Sequence, residues 1–293
     1  MSYKKLLEEL SQKELRVLFS IEAAMLKNRT PTLSYLYRAL PREYEEILDE
    51  ITLKLRSMRL IHAKETKNDL RVWLSYKGYE LLGFYNLYKR GIIEDLRGPV
   101  GEGKEAYVYR GIGDEIICVK IYRISQRKFR KVKRYRKVSQ RFRVLISGEM
   151  AKREFYALED LRPDVEVPKP IGFSRNLVAM EWFDGIRLFK ASLEEPMEIF
   201  VRILNNIIEA AKKGYIHGDL SAYNVLYNGE EIRIIDRPQA IRVGEEGWKY
   251  YLYRDLKNLI ERFNKEYKLG IDPSEAFDEV IKHIEADIDE GSS

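Results

Sequence analysis

Three polar residues that could take part in phosphoryl transfer lie among apolar segments in the carboxyl-terminal half of the sequence. Asp219 and Asn224 fall within residues 216–226, and Asp236 follows an isoleucine pair twelve positions after Asn224. Phosphoryl transfer requires a carboxylate near the attacking hydroxyl and oxygen ligands for Mg²⁺. The pattern therefore predicts Asp219 as the catalytic carboxylate, with Asn224 and Asp236 as metal ligands. We interpret His217 as a structural turn residue in preference to a general base.

Lys120 lies in a predicted strand of apolar and β-branched neighbours, where an unpaired cation would be costly. Glu154 shares a helix face with apolar residues, so its carboxylate is expected to point inward and pair with Lys120. Such a pair can be purely structural. A strand lysine paired with a helix glutamate also holds the α and β phosphates of ATP in kinases. We favour this second role and place Lys120 with Asp219 and Asp236 in the catalytic set.

Residues 98–105 come close to a phosphate-binding P-loop but fail on two counts. Glu105 stands where that loop has its magnesium-binding hydroxyl, and a strand is predicted to follow where that loop has a helix. Gly101 and Gly103, with Ala106 in place of a third glycine, match the strand-turn-strand loop whose backbone N–H groups approach ATP phosphates. An ordinary glycine turn is the alternative. The predicted nucleotide-contacting residues of this loop are Gly101, Glu102, Gly103, Lys104, Glu105, Ala106 and Val108.

Residues 125–143, the basic segment, carry ten lysine and arginine residues and no acid, whereas the whole chain has a formal net charge of only +5. The remainder of the protein is therefore mildly acidic, and the positive charge is concentrated in one place. This distribution favours contact with a polyanion such as RNA, the alternative being a solvated loop. Ser125 and Ser139 lie in the basic segment and are candidate phosphorylation sites.

The first 90 residues predict three helices followed by a hairpin. Ser11 opens the first helix in a capping box with Glu14, the second covers residues 32–40, and Pro41 begins the third. Period-two alternation on both sides of residues 66–69 predicts the hairpin. The expected buried face of the third helix consists of Tyr44, Ile47, Leu48, Ile51, Leu53 and Leu55.

This order of elements is typical of a winged helix-turn-helix domain, which usually places its third helix or its wing against nucleic acid. A protein-docking module is the alternative. Arg56, Arg59, Lys64 and Lys67 favour nucleic acid.

Beyond a boundary rich in glycine and proline, short strands dominate first and helices dominate afterwards. The sequence thus predicts an α+β protein with a winged-helix domain (1–91), a small β-rich lobe (92–182) and a larger α-rich lobe (183–293), the two lobes being kinase-like. A helix is predicted to begin within a dozen residues of Asp236. We therefore expect neither an activation segment nor a peptide-binding shelf.

Composition excludes several classes of protein. With 45% hydrophobic and 34% charged residues the chain is expected to fold, and no apolar run approaches the ~20 residues of a membrane span. The first residues do not resemble a signal peptide. Cys118 is the only cysteine, which excludes an internal disulfide and fits a reducing compartment. We expect a cytoplasmic protein with no membrane partner.

Together these motifs resemble the Rio family of atypical kinases, in particular its second subfamily, which carries an amino-terminal winged helix. The matching segments are residues 78–82, 101–106, 120, 153–155, 180–181, 217–224 and 235–239. Pro238 and Gln239 favour this subfamily, whereas Arg237 departs from the aromatic or aliphatic residue that is commoner there. The ending at Ser293, without a long tail, resembles the archaeal members.

The resemblance implies a mode of ATP binding. ATP would form hydrogen bonds to the backbone at Glu181 and Phe183, beside Met180, and its phosphates would meet the glycine loop and Lys120. Asn224 and Asp236 would hold Mg²⁺, or Mn²⁺ in its place.

The resemblance also implies a serine/threonine kinase that serves as an ATPase switch in maturation of the small ribosomal subunit. The precursor of that subunit and its rRNA would be the partners. Asp236 is a candidate for transient phosphorylation, and Ser125 or Ser139 for autophosphorylation.

Two other functions stay open. A small-molecule phosphotransferase of the aminoglycoside or choline kinase class shares the His-Gly-Asp loop, but it would need neither a winged helix nor the basic segment. A non-enzymatic winged-helix regulator that only senses ATP is the other, and the presence of Lys120, Asp219, Asn224 and Asp236 argues against it.

Overall fold

A computed structural model describes residues 2–27, 30–103, 106–124, 140–236 and 241–291, with the side chains of residues 140–142 and 287–291 excepted. The chain forms two compact units. The first contains Met1–Phe155 and Ile171–Glu181, and the second contains Tyr156–Pro170 and Trp182–Ser293. The predicted domain boundaries after residues 91 and 182 stay predictions.

The amino-terminal part of the first unit consists of helices, a hairpin and a further helix, in the predicted order. The elements are α1 (Tyr3–Glu8), α2 (Gln12–Leu26), α3 (Leu33–Ala39), a 3₁₀ turn (Arg42–Tyr44), α4 (Leu48–Ser57), β1 (Ile61–Glu65), β2 (Leu70–Leu74) and α5 (Tyr76–Lys89). The predicted capping box of Ser11 and Glu14 is present at the start of α2. The sequence analysis missed α1 because six residues are too few to display a helical period.

The predicted third helix differs from α4 in its start and in one buried residue. A 3₁₀ turn follows Pro41, and the α-helix begins only at Leu48. Leu48, Ile51 and Leu55 are buried as expected, but Leu53 is 65% exposed. Leu53 is two residues from both Ile51 and Leu55, and a two-residue step turns a helix by about 200°, onto the opposite face.

A five-stranded sheet forms the second part of the first unit. Its strands are β3 (Asp95–Glu102), β4 (Ala106–Ile112), β5 (Ile116–Tyr122), β6 (Pro170–Ser174) and β7 (Leu177–Glu181), in the spatial order β3-β4-β5-β7-β6. β4 and β5 pair in antiparallel orientation. Ile117, Val119 and Ile121 pack into a hydrophobic cluster with residues of α5. Because side chains alternate along a strand, Lys120 is on the opposite face of β5.

The second unit is mainly helical, with short strands between the helices. The helices are α7 (Pro196–Lys212), α8 (Trp248–Tyr267) and α9 (Pro273–Gly291), and α6 (Gln140–Leu161) contributes residues to both units. The strands are β8 (Ile186–Arg187), β9 (Tyr215–Ile216), β10 (Val225–Tyr227), β11 (Ile232–Ile234) and β12 (Ile241–Arg242). They form a three-stranded sheet, β11-β10-β8, and a two-stranded sheet, β12-β9.

None of the helices in the described part of the chain combines the length and the apolar character needed to cross a membrane.

The register of α4 generates a prediction about stability. Leu55→Ala removes a fully buried side chain and should lower the free energy of unfolding by about 2–5 kcal/mol. Leu53→Ala is the matched control, and it should change that free energy by no more than about 0.5 kcal/mol because Leu53 is exposed. Urea denaturation of both variants measures the difference, and equal losses would contradict the register.

Candidate functional site

Lys120 and Glu154 form the predicted ion pair, inside the first unit. Lys120 Nζ is 2.7 Å from Glu154 Oε1, and the residues are only 6% and 2% exposed. β5 supplies the lysine and α6 supplies the glutamate, which lies between buried Ala151 and Leu158 on the inner face of that helix. The pair is therefore shielded from water, and removal of either partner would leave an uncompensated buried charge.

Tyr122 completes this pair from the same strand. Its hydroxyl donates a hydrogen bond to Glu154 Oε2, and Lys120 Nζ lies 5.1 Å from the centre of its ring. Burial, together with the charge of Glu154, holds the pKa of Tyr122 well above its ordinary value, so the hydroxyl keeps its proton. Both oxygens of Glu154 are thus bonded, and the position of the Lys120 ammonium group is fixed.

The glycine-rich hairpin lies beside Lys120 in the same sheet. Gly101 pairs with Val108, Val108 with Lys120, and Lys120 with Val178. Residues opposite each other in neighbouring strands share a face, so Gly101, Val108 and Lys120 are on one face of the sheet. At the tip of the hairpin, the N–H of Gly103 donates to the carbonyl of Ala106 over 2.8 Å.

Neither the backbone angle nor the neighbouring side chain requires glycine at position 101. Its φ lies outside the left-handed region, and an added Cβ would be 3.6 Å from Val108 Cβ, an ordinary contact. A requirement from outside the chain, such as close approach of a phosphate, is consistent with this. Glu102 is exposed and pairs with Tyr107 across the hairpin, whereas the predicted contacts Lys104 and Glu105 lie outside the described residues.

The residues predicted to contact ATP beside the glycine hairpin lie at the end of β7 and directly after it. Met180 is opposite Cys118 and Glu181 is opposite Ile117, so both belong to the sheet that carries Lys120. Phe183 belongs to the second unit, where its carbonyl accepts a hydrogen bond from the N–H of Gly185 over 3.0 Å.

Asn224 and Asp236 lie at the same end of a two-stranded ladder in the second unit. β10 begins directly after Asn224, and β11 ends two residues before Asp236. The strands are antiparallel with Val225 opposite Ile234, and the N–H of Ile235 donates to the carbonyl of Asn224 over 2.9 Å. Asp236 has a φ of +66°, a left-handed conformation that is uncommon outside glycine, asparagine and aspartate and that clusters at functional sites.

His217 links the loop that carries Asp219 to the loop that carries Asp236. Its Nδ1 accepts a hydrogen bond from the N–H of Asp219 over 3.3 Å, and its Nε2 lies 3.0 Å from the carbonyl of Ile235. These contacts are consistent with the neutral ring that carries its proton on Nε2. Both ring nitrogens are thus engaged with backbone groups, which supports the interpretation of His217 as a structural residue.

Asp255 is the main residue of this site that the sequence analysis missed. Its carboxylate accepts hydrogen bonds from the N–H groups of Gly218 and Leu220, over 2.7 and 2.9 Å, and so fixes the backbone on either side of Asp219. The Arg254 guanidinium donates to the carbonyl of Gly218. A signal was present in the sequence, since Asp255 is an acid inside the buried stripe of α8 that includes Leu252.

The same surroundings alter the acidity of Asp255. Burial is the main cause, and the charge of Asp219 adds to it, while the two N–H groups and Arg254 oppose it. The net effect raises the pKa of Asp255 to about 6.

The oxygen donors of the second unit fit a magnesium ion. The side-chain amide of Asn224 donates to the carbonyl of Asp219 over 2.8 Å, which directs its oxygen away from that bond. Asn224 and Asp236 then offer two oxygen ligands, and the described residues contain no cluster of three or more His, Cys, Asp or Glu side chains suited to a metal. Mg²⁺ usually keeps several waters and takes only one or two protein ligands besides substrate phosphates.

The structure thus brings the predicted residues together in two sets. Lys120 and Glu154 lie with the hairpin glycines, Ala106, Val108 and Met180 in the first unit, and Asp219 lies with Asn224 and Asp236 in the second. Several predictions lie outside the described residues, namely those for Ser125, Ser139, Arg237, Pro238, Gln239 and most of the basic segment.

Comparison with known proteins gives a consistent result. The family described as RIO domain matches residues 106–276. Among curated proteins, the chain is 33% identical over 229 residues to the RIO-type serine/threonine-protein kinase Rio2 of Methanocaldococcus jannaschii. This alignment covers 71% of this chain and 84% of that protein. It is 30% identical over 223 residues to the RIO-type serine/threonine-protein kinase Rio1 of Haloferax volcanii, covering 71% and 76%.

Solved structures show the same fold over nearly the whole chain. The crystal structure of the Rio2 kinase-ADP/Mg²⁺-phosphoaspartate complex from Chaetomium thermophilum superposes with a TM-score of 0.82 at 22% identity, covering 98% of this chain and 97% of that one. A second crystal structure of that kinase gives a TM-score of 0.76 and covers 97% of each chain. The predicted α+β, two-lobed kinase-like fold is confirmed.

The environment of Asp255 generates a prediction about pH. Because burial raises its pKa to about 6, the folded protein binds more protons at this site than the unfolded chain between pH ~4 and ~6. The contribution of Asp255 to the free energy of unfolding is therefore highest below pH 4 and falls as the pH rises through 6. Relative to Asp255→Asn, the wild type should lose about 1–3 kcal/mol between pH 4.5 and 7.

Urea denaturation across that pH range measures this change. Asp278→Asn, which removes an exposed carboxylate of α9, is the matched control and should follow the wild type at every pH. A constant difference between wild type and Asp255→Asn from pH 4.5 to 7 would contradict the assignment.

Proposed function

The chain belongs to the RIO family of atypical serine/threonine kinases, and from that membership we propose that it transfers the γ-phosphoryl group of ATP in a Mg²⁺-dependent reaction. The acceptor is a serine or threonine hydroxyl, or water when the protein acts as an ATPase. The observation that carries the proposal is the double fixation of the loop around Asp219, by His217 from one side and by Asp255 from the other.

Each residue has a role that follows from its surroundings. Lys120, fixed by Glu154 and Tyr122, binds the α and β phosphates, and the side-chain-free hairpin at Gly101 and Gly103 lets backbone N–H groups approach them. Met180, Glu181 and Phe183 contact the adenine.

Asp219 orients the attacking hydroxyl and accepts its proton. It is exposed, as a residue that meets substrate must be, while its backbone is fixed by the neighbouring hydrogen bonds. Asn224 and Asp236 hold Mg²⁺, which when bound neutralises charge that develops on the phosphates. The similar Chaetomium structure is a phosphoaspartate complex, which supports Asp236 as a candidate for transient phosphorylation in this chain.

We further propose that the chain belongs to the second, Rio2-like subfamily. The likeness to the Chaetomium Rio2 kinase covers 98% of the chain and thus includes the amino-terminal helices and hairpin, which lie outside the RIO domain match. By the same reasoning we propose a role in maturation of the small ribosomal subunit, with its rRNA as a partner. The ten cations of the basic segment support a polyanionic partner.

Single-turnover assays with γ-labelled ATP test the catalytic role of Asp219. Asp219→Ala should reduce phosphate release and autophosphorylation by at least about 100-fold, because general base catalysis typically contributes 10²–10⁴-fold. ATP binding should persist, since Asp219 is not expected to contact the adenine or the α phosphate. Asp278→Ala, which removes an exposed carboxylate elsewhere in the second unit, is the control and should react like the wild type.

The same assay separates the alternative functions. A wild type that binds ATP without releasing or transferring phosphate would favour a sensor. Rapid transfer to a small amino alcohol, with no autophosphorylation, would favour a small-molecule phosphotransferase.

Binding to archaeal small-subunit rRNA should be strongly salt-dependent. Replacement of the ten lysine and arginine residues of the basic segment by glutamine should weaken binding. It should also reduce the slope of log K against log salt concentration, by about 0.7–0.9 for each phosphate that is no longer neutralised. Lys257→Gln with Lys265→Gln removes two exposed charges of α8 as a control and should leave the slope unchanged. Filter binding at a series of salt concentrations measures the slope, and salt-independent binding would count against an RNA partner.

A further inference from the structure

A cavity within the first unit is separate from Lys120 and the glycine hairpin. It has a volume of about 530 Å³ and lies between the hairpin and start of α5 on one side and strands of the five-stranded sheet on the other. Neither Lys120 nor Gly101 lines it. Its size is within the range of pockets that hold small organic ligands.

The lining of this cavity is cationic. Arg59, Lys77 and Arg123 contribute to it, and no acidic residue lines it within the described part of the chain. Tyrosine and leucine side chains, including Tyr3 and Tyr109, supply most of the remaining wall, together with Ser75 and Gly98. His62 adds a ring whose pKa is lowered by burial, which favours the neutral form near pH 7.

Arg123 does not supply the excess charge. Its guanidinium forms two hydrogen bonds, of 2.5 and 2.6 Å, with the carboxylate of the fully buried Glu80, which also accepts a bond from the Tyr3 hydroxyl. This group is therefore fixed and neutralised. The uncompensated positive charge of the cavity comes from Arg59 and Lys77.

These two cations are placed differently. Lys77 Nζ donates to the carbonyl of Met58 over 3.0 Å, which holds the ammonium group at the cavity and leaves two of its three N–H bonds for a ligand. Arg59 is an exposed residue, and no acidic side chain within the described ranges pairs with it.

The backbone at Arg59 is unfavourable for arginine. α4 ends here, with the N–H of Leu60 bonded to the carbonyl of Leu55 over 2.9 Å, and Arg59 has a φ of +59°. This is the position after a helix where glycine is strongly preferred, because other residues strain in the left-handed conformation. Glycine would relieve the strain at this position, whereas the arginine places a cation at the cavity.

We propose that this cavity binds the phosphate group of a nucleotide-sized ligand through Arg59 and Lys77. A guanidinium group can form paired hydrogen bonds to phosphate oxygens, and a nearby ammonium group adds a point charge. The tyrosine and leucine walls accommodate the apolar remainder. The ligand is a free nucleotide or one nucleotide of a single-stranded RNA, since both present the same chemistry.

The strained backbone provides a sharp test. Arg59→Gly removes the cation and the left-handed strain together, so it should raise the melting temperature while weakening phosphate binding. Lys268→Gly is the matched control, because Lys268 ends α8 with a φ of +59° and lies in the other unit, away from the cavity. It should raise the melting temperature similarly and leave binding unchanged.

Isothermal titration with AMP and with hexaadenylate RNA measures binding to the whole protein. Arg59→Gly should weaken one binding event by about 10- to 100-fold, as expected for loss of a charge-assisted contact. Gly101→Ala, in the candidate nucleotide hairpin, identifies any separate event at that site, and it should leave the event that depends on Arg59 intact. Failure of ATP turnover would not affect this result, because the cavity does not depend on the proposed kinase function.

The outcomes are distinct. Loss of AMP binding in Arg59→Gly alone supports a free nucleotide, and loss of hexaadenylate binding alone supports an RNA nucleotide. If the wild type binds neither probe, or if Arg59→Gly and Lys268→Gly bind both equally well, the proposal is wrong. If Arg59→Gly folds poorly, Lys77→Gln is the alternative variant, and we expect it to weaken the same binding event.

Discussion

A carboxylate removed from water must have its oxygens bonded, and this constraint determines the geometry around each candidate site. Among the buried carboxylates that meet it, three do so with groups that belong to the candidate sites or lie beside them. The pairings are Glu154 with Lys120 and Tyr122, Asp255 with the N–H groups of Gly218 and Leu220, and Glu80 with Arg123 and Tyr3. In a medium of low polarity, breaking these hydrogen bonds would leave an unpaired carboxylate at a large cost in free energy. Each of these arrangements is therefore rigid.

The constraint has a different consequence in each unit. In the first, it immobilises the Lys120 ammonium group beside the glycine hairpin, which is where the proposed function has nucleotide phosphates bind. In the second, Asp255 accepts hydrogen bonds from backbone N–H groups and so fixes the loop in which Asp219 is exposed. Preorganised charge and positioned donors are what phosphoryl transfer chiefly demands of a protein.

The errors of the sequence analysis have definite causes. The spacing of apolar residues predicts Leu53 on the buried face of its helix, because Leu53 stands close in sequence to other apolar residues. The helical rotation of about 100° per residue instead places Leu53 on the exposed face. Asp255 was overlooked because the stripe of α8 was interpreted by its leucines alone. An acid within such a stripe requires a partner, but the sequence does not say that the partner is the backbone of a loop 35 residues earlier.

The sequence by itself determined the helical and strand periodicities. From them follow the side of β5 that carries Lys120, the inward helix face that carries Glu154, and the order of helices and hairpin at the amino terminus. These depend on neighbours along one chain segment, so local spacing is sufficient. Only the tertiary structure decided which groups satisfy Asp255 and Glu80, how His217 links two loops, and that an arginine occupies a left-handed position beside a cavity. Each of these depends on segments distant in the chain, or on a backbone angle, and neither is expressed in residue spacing.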